Sequence, residues 1–70
     1  MRRTPVSSTN IRSVGYDSSS QTLEVEFHNG GIYQYYGVPS SVYQGLMNAS
    51  SHGSYLAQHI KDRYRYRKVG

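Results

Sequence analysis

Two stretches of this 70-residue chain carry side chains able to do chemistry on a ligand. From Lys61 to Lys68 the chain interleaves cations with aromatic rings. Lys61, Arg63, Arg65, Arg67 and Lys68 can neutralise phosphates, and Tyr64 and Tyr66 can stack on bases or cover apolar surface. If this stretch is a strand, its arginines fall on one face and its tyrosines on the other. The second stretch is Tyr33-Gln34-Tyr35, where two rings two residues apart share one side of a strand and suit base stacking if that side faces solvent. Arg12 adds one more cation in the middle of the chain.

Signs of catalysis are absent by comparison. Glu24 and Glu26 project side by side from one strand face and read as a solvated face, not as a hydrolytic pair. His28, His52 and His59 are too scattered for a metal site: His28 reads as a turn residue and His59 as a helix-face residue beside Tyr55. With no cysteine, disulfides, thiolate zinc sites and cysteine nucleophiles are excluded together, which fits a cytoplasmic, reducing setting. Gly30 and Gly31 belong to a hairpin and not to a phosphate loop, and no Ser, His and Asp signature marks a strand-to-helix turn. The sequence therefore predicts a binding module, not an enzyme, with no metal and no cofactor.

The elements that must position these residues follow from periodicity. Residues 1–8 hold Arg2, Arg3 and a proline without periodicity and read as a flexible basic arm; residues 9–70 read as one domain. Ile11 to Tyr16 suits a strand, Asp17 to Ser20 a polar turn. Gln21 to Phe27 alternates, with Leu23, Val25 and Phe27 on one side. Asn29-Gly30 marks a hairpin leading into Ile32 to Tyr36. Ser41 and Gln44 resemble a capping box that opens a helix presenting Val42, Tyr43, Leu46 and Met47 and ending near Ala49. A second helix is predicted from about Ser54 to Asp62. The fold class is α+β: a three-stranded antiparallel meander with two C-terminal helices packed on one face, the segment after Tyr64 being a fourth strand, a tail or more helix.

Register decides what the tyrosines do. A two-residue turn at Asn29-Gly30 would place Tyr33 and Tyr35 on the outer face with Glu24 and Glu26, as a displayed platform. A three-residue loop, His28 to Gly30, with a bulge at the glycine would place them inside with Val25 and Leu23. The second register is favoured, because aliphatic residues are scarce and the first would bury the Gln34 amide.

Charge is uneven along the chain. The net charge is +4, yet Arg12 with Asp17, Glu24 and Glu26 makes the middle acidic, while residues 61–68 alone carry +4. Basic ends attract phosphate-bearing or acidic partners. No apolar run approaches the roughly 20 residues that a membrane span requires.

Several segments together resemble one family. Pro5-Val6-Ser7-Ser8, Ile11-Arg12-Ser13-Val14-Gly15-Tyr16-Asp17, Leu23-Glu24-Val25-Glu26-Phe27, Gly30-Gly31, Tyr33-Gln34-Tyr35, Val38-Pro39, Gly53, Tyr55 and His59-Ile60 resemble the KTSC domain from about Pro5 to Arg65. That family is named for a module at the C-terminus of some lysyl-tRNA synthetases and also occurs as small stand-alone bacterial and phage proteins. The resemblance implies a Tyr-x-Tyr signature at Tyr33 and Tyr35, and RNA as the suggested partner. Leu56 and Ala57 depart from the second aromatic and asparagine expected after Tyr55.

Three binding functions are consistent with the sequence. The leading one is RNA binding through Lys61, Arg63, Arg65, Arg67, Lys68, Arg12, Tyr64 and Tyr66, with Tyr33 and Tyr35 as further stacking residues. The others are a protein-interaction or self-assembly module and a binder of a small phosphorylated or nucleotide ligand.

Overall fold

The computed structural model describes residues 1–70 as five strands and two helices. Strands β1 (Arg3–Pro5), β2 (Ile11–Asp17), β3 (Thr22–Phe27) and β4 (Ile32–Tyr35) precede helices α1 (Ser40–Asn48) and α2 (His52–His59), and β5 (Tyr66–Lys68) closes the chain. The sheet is antiparallel in the order β1-β2-β3-β4-β5. The predicted three-stranded meander is thus its centre, extended by one strand at each edge.

The polar turn after β2 is held by Asp17, whose carboxylate accepts from the Ser19 backbone N–H and from the hydroxyls of Ser19 and Ser20. Hydrogen bonds to the charged form, Ser19 first, hold the Asp17 carboxyl below its ordinary range. The next turn settles the register. Phe27 N–H donates to Gly31 O at 2.8 Å, Gly30 N–H donates to Phe27 O, and Gly30 takes φ +95°, so the loop has three residues, 28–30. Val25 consequently faces Tyr33 and Leu23 faces Tyr35.

Alternation then sorts the side chains. Leu23, Val25, Tyr33 and Tyr35 share the face on which the helices lie, together with Ile11, Val14, Val38, Leu46, Leu56 and Ile60 in one core. Tyr16 stacks on Tyr43 of α1 at 4.7 Å and donates its hydroxyl to Val38 O, so the tyrosine surplus is packed without an orphaned oxygen. Burial, followed by the nearby Asp17 charge, raises the Tyr16 pKa. The helices meet closely where Gly45 lies under Tyr55: a Cβ there would stand 2.2 Å from the tyrosine hydroxyl.

Four expectations need correction. Arg3–Pro5 is a paired strand against Gly15–Ser13 and not a loose arm, because its backbone completes the β2 edge. Helix α1 opens at Ser40 behind Pro39 with no side-chain cap, so Ser41 and Gln44 form no capping box. Helix α2 starts two residues early because Ser51 Oγ accepts from Ser54 N–H. It also ends three residues early: Leu56 O accepts from both Ile60 and Lys61 N–H, and the chain turns. Lastly, Glu24 is only 8% exposed and is not part of a solvated face.

Candidate functional site

The helices do not cover the whole inner face of the sheet. Toward β4 and β5 a groove of about 360 Å³ remains between the strands and the end of α2. Tyr33, Tyr35, Tyr66 and Phe27 line one side, and Leu56, Ala57, Lys61 and Asp62 the other. Asn10 and Asn29 come in from two loops. The early end of α2 builds this site, because the turn after Ile60 carries Lys61 and Asp62 to the groove instead of along a helix.

Neither register alternative anticipated this arrangement. Tyr33 and Tyr35 are on the core side, yet they lie where coverage runs out. Tyr35 is 4% exposed and forms the floor, Tyr33 is half-buried, and Tyr66, at 59% exposed, stands as a free wall. The rings form a chain of contacts: Phe27 to Tyr33 edge-on at 5.7 Å, Tyr33 to Tyr66 at 6.0 Å and Tyr35 to Tyr66 at 5.8 Å. Burial, reinforced by Tyr33, Tyr66 and Asp62, raises the Tyr35 pKa, so its phenol stays protonated and able to donate at neutral pH.

Two further depressions run into the groove. One, sharing Lys61, Asp62 and Tyr66 with it, continues along Arg63, Tyr64 and Arg65. The other, sharing Asn10, Gly53 and Ala57, is hydroxyl-rich, with Ser7, Ser8, Thr9, Ser50, Ser51 and Ser54. The result is one furrow, basic at one end, aromatic in the middle and polar at the other.

The predicted basic surface is divided by the sheet. Tyr66 and Lys68 face the groove side, whereas Arg67 pairs with Gln34 in register and lies on the opposite face; Arg65 precedes the strand and lines the depression beside the groove. Tyr64 packs against the core, while Tyr66 is free. Arg12 occupies a bulge in β2, where Ile11 pairs with Phe27 and Ser13 with Glu26; it approaches Glu26 at 4.0 Å. It sits three strands from β5, about 14 Å away by the usual spacing, and joins no surface with the C-terminal cations. Arg2 and Arg3 are at the opposite edge of the sheet, so the termini are not brought together.

The opposite face of the sheet is a closed polar network. Arg3 pairs with Glu24 and donates Nε–H to Ser13 Oγ at 3.1 Å; Ser13 donates to Glu26 at 3.0 Å; Gln34 donates to Glu24 at 2.8 Å and accepts from Tyr36. Burial alone pushes the Glu24 carboxyl up, but the Gln34 amide and the Arg3 guanidinium outweigh it and hold the pKa below its ordinary value. Every buried side-chain polar atom has a partner, so this network leaves no site of its own.

The histidines serve the fold. His28 Nε2 meets Ser8 O at 2.9 Å, His52 Nδ1 meets Leu46 O at 2.8 Å, and His59 stacks beside Tyr55 at 4.4 Å. No three His, Cys, Asp or Glu residues cluster. No helix is long and apolar enough to cross a membrane. The groove residues not anticipated from the sequence are Asn10, Asn29 and Asp62, which lie in loops or turns without a periodic signal, and Phe27 and Leu56, whose periodicity marked them only as core.

Comparison with known proteins identifies the family of this small α+β domain. The KTSC domain model matches residues 7–64, and the chain belongs to that family. A crystal structure of a KTSC domain protein from Yersinia pestis superposes with a TM-score of 0.96 at 43% identity, covering 99% of this chain and 97% of that one. An uncharacterised protein of Stutzerimonas stutzeri is 43% identical over 70 residues, 99% of each chain. A lysine–tRNA ligase of Trichormus variabilis is 39% identical over 59 residues, which is 84% of this chain and 10% of the ligase. The chain thus spans about a tenth of the length of that ligase.

Proposed function

We propose that this KTSC domain is a non-catalytic module that binds single-stranded RNA along the furrow beside α2. The supporting observation is the juxtaposition of Tyr33, Tyr35 and Tyr66 with Lys61 in one groove that opens onto Arg63 and Arg65. A base entering between Tyr66 and the α2 turn gains stacking on the rings, and the strand beyond it passes the cations that neutralise its phosphates. A sheet-edge ring that is 59% exposed is available for stacking, and a base covers it without demanding a particular sequence. Similarity to part of a lysine–tRNA ligase, a protein whose name places it with tRNA, supports the same partner class.

The test is fluorescence anisotropy with a labelled single-stranded RNA. With Lys61, Arg63 and Arg65 as the phosphate contacts, log K should fall with log salt at a slope of about −2. Tyr66→Ala should weaken binding by about 1–3 kcal/mol, the usual value of one stacking ring. Absence of binding at low salt would overturn the proposal.

A further inference from the structure

We propose that the groove selects guanine, with the Asp62 carboxylate accepting from the N1–H and N2–H edge of the base; this rests on the nucleic-acid function proposed for the same groove. The chain has four acidic side chains, and three are committed. Asp17 accepts from Ser19 and Ser20, while Glu24 and Glu26 are tied to Arg3 and Ser13. Asp62 makes no ion pair and no side-chain hydrogen bond, and it lines the groove beside Tyr35 and Tyr66. Asp62 is exposed, so both carboxylate oxygens are open to the donors of an incoming ligand.

The other uncommitted groups in the groove are two donors and the hydroxyls of Tyr33, Tyr35 and Tyr66, which donate or accept as a ligand requires. Asn29 Oδ1 accepts from Gly31 N–H at 2.9 Å, which fixes the amide orientation and leaves its NH₂ to donate. Lys61 is likewise unpaired. The site therefore offers one two-oxygen acceptor together with an amide and an ammonium donor.

Among the four bases only guanine presents two adjacent N–H donors to a carboxylate. Its N1–H and N2–H are adjacent donors suited to the two carboxylate oxygens, and its O6 and N7 accept from an amide or ammonium. Adenine and cytosine each place a ring-nitrogen acceptor beside their amino group, so one lone pair would meet the carboxylate. Uracil offers one N–H between two carbonyls. Mismatched partners lose more than matched partners gain, so Asp62 discriminates by repulsion as well as attraction. The tyrosines stack on every base and contribute affinity without selectivity.

The same chemistry is presented by guanine in a strand and by a free guanine nucleotide, and the experiment separates them. Labelled uridine heptamers carrying a central guanine, adenine or inosine, and an all-uridine heptamer, are titrated into the full chain and into Asp62→Asn. GMP serves as competitor. Asp62 lies in an exposed turn, and circular dichroism verifies that the variant is folded. The guanine heptamer should bind on the order of tenfold more tightly than the adenine one, with inosine between them. In Asp62→Asn that gap should vanish. Displacement by GMP near the heptamer's own Kd would make the free nucleotide the ligand; failure of GMP to displace it would make the strand the ligand, and both support guanine selectivity. Equal affinity for guanine and adenine overturns the selectivity and leaves RNA binding standing. A gap that persists in Asp62→Asn overturns the role of Asp62, and no binding of any heptamer or of GMP overturns both proposals.

Discussion

On one face of the sheet Leu23, Val25 and Tyr35 are sealed by Leu46, Leu56 and Ile60; on the other, Glu24 and Gln34 are sealed by Arg3 and Tyr36. The two sets alternate along the same strands. The first face excludes water by area, each buried aliphatic side chain contributing about 1.5–3 kcal/mol. The second excludes it by mutual hydrogen bonding, which yields little net stability but is costly to leave half-made. Apolar closure tolerates gaps, because a missing neighbour leaves only uncovered surface. The groove accordingly occurs on the helix side, at β4 and β5, and the polar side has none.

Loss of packing should break the first face most severely. Leu46→Ala, at a fully buried site, should cost about 3 kcal/mol in urea unfolding, a large part of the stability of so small a domain. A cost below about 1 kcal/mol would show that the helix side is not the main source of stability.

Gly15→Ala should be the largest disruption of the polar face. Its Cβ would stand 2.7 Å from Arg2 O and 3.0 Å from Arg3 Cγ, so β1 must move away. Overpacking of this kind costs about 1–3 kcal/mol. In a chain truncated before Val6 the same substitution should be nearly neutral; a persisting cost would place its effect elsewhere.

Glu24→Gln probes the network more gently, with an expected loss of about 1–2 kcal/mol at neutral pH. The folded pKa of Glu24 is depressed, so its contribution is complete above the unfolded value of about 4.3 and disappears as pH falls through the folded one. Stability of the wild type should drop through that acid window, and Glu24→Gln should flatten this drop. An unchanged acid limb in the variant would remove Glu24 from the network's energetics.

The smallest expected effect sharpens the assignment of the binding surface. Arg67→Ala, on the polar face, should change stability by less than about 0.5 kcal/mol and RNA affinity far less than Lys61→Ala on the groove side. Equal losses would mean that the strand wraps the β5 edge.

Much of the scaffold was legible because its signals are local. The alternation of Leu23, Val25 and Phe27 named a strand and its apolar side, and Asn29-Gly30-Gly31 named the hairpin. The shortage of aliphatic residues favoured the register that takes Tyr33 and Tyr35 inside. The extra strands were less sharply marked: residues 3–5 carry no periodicity, while the alternation after Tyr64 left strand, tail and helix open, and both pair because open sheet edges are available. Lys61 and Tyr66, which line the groove, were nominated from residue type alone, and Arg12 and Arg67 were grouped with them only because charge in sequence carries no information about faces.

The sequence by itself determined an α+β domain with a tyrosine-supplemented core, a basic aromatic end and no grouping of catalytic residues, since composition and alternation are properties of single segments. Tertiary structure alone decided that the inner tyrosines are both core and groove wall, that Glu24 is buried by Arg3, and that Asp62 stands uncommitted beside Tyr35. Those facts depend on where two helices stop covering a five-stranded sheet. That boundary is set by the fit of the α1–α2 pair at Gly45 and Tyr55 and by the early turn after Ile60, contacts that the residue pattern of a single element does not reveal.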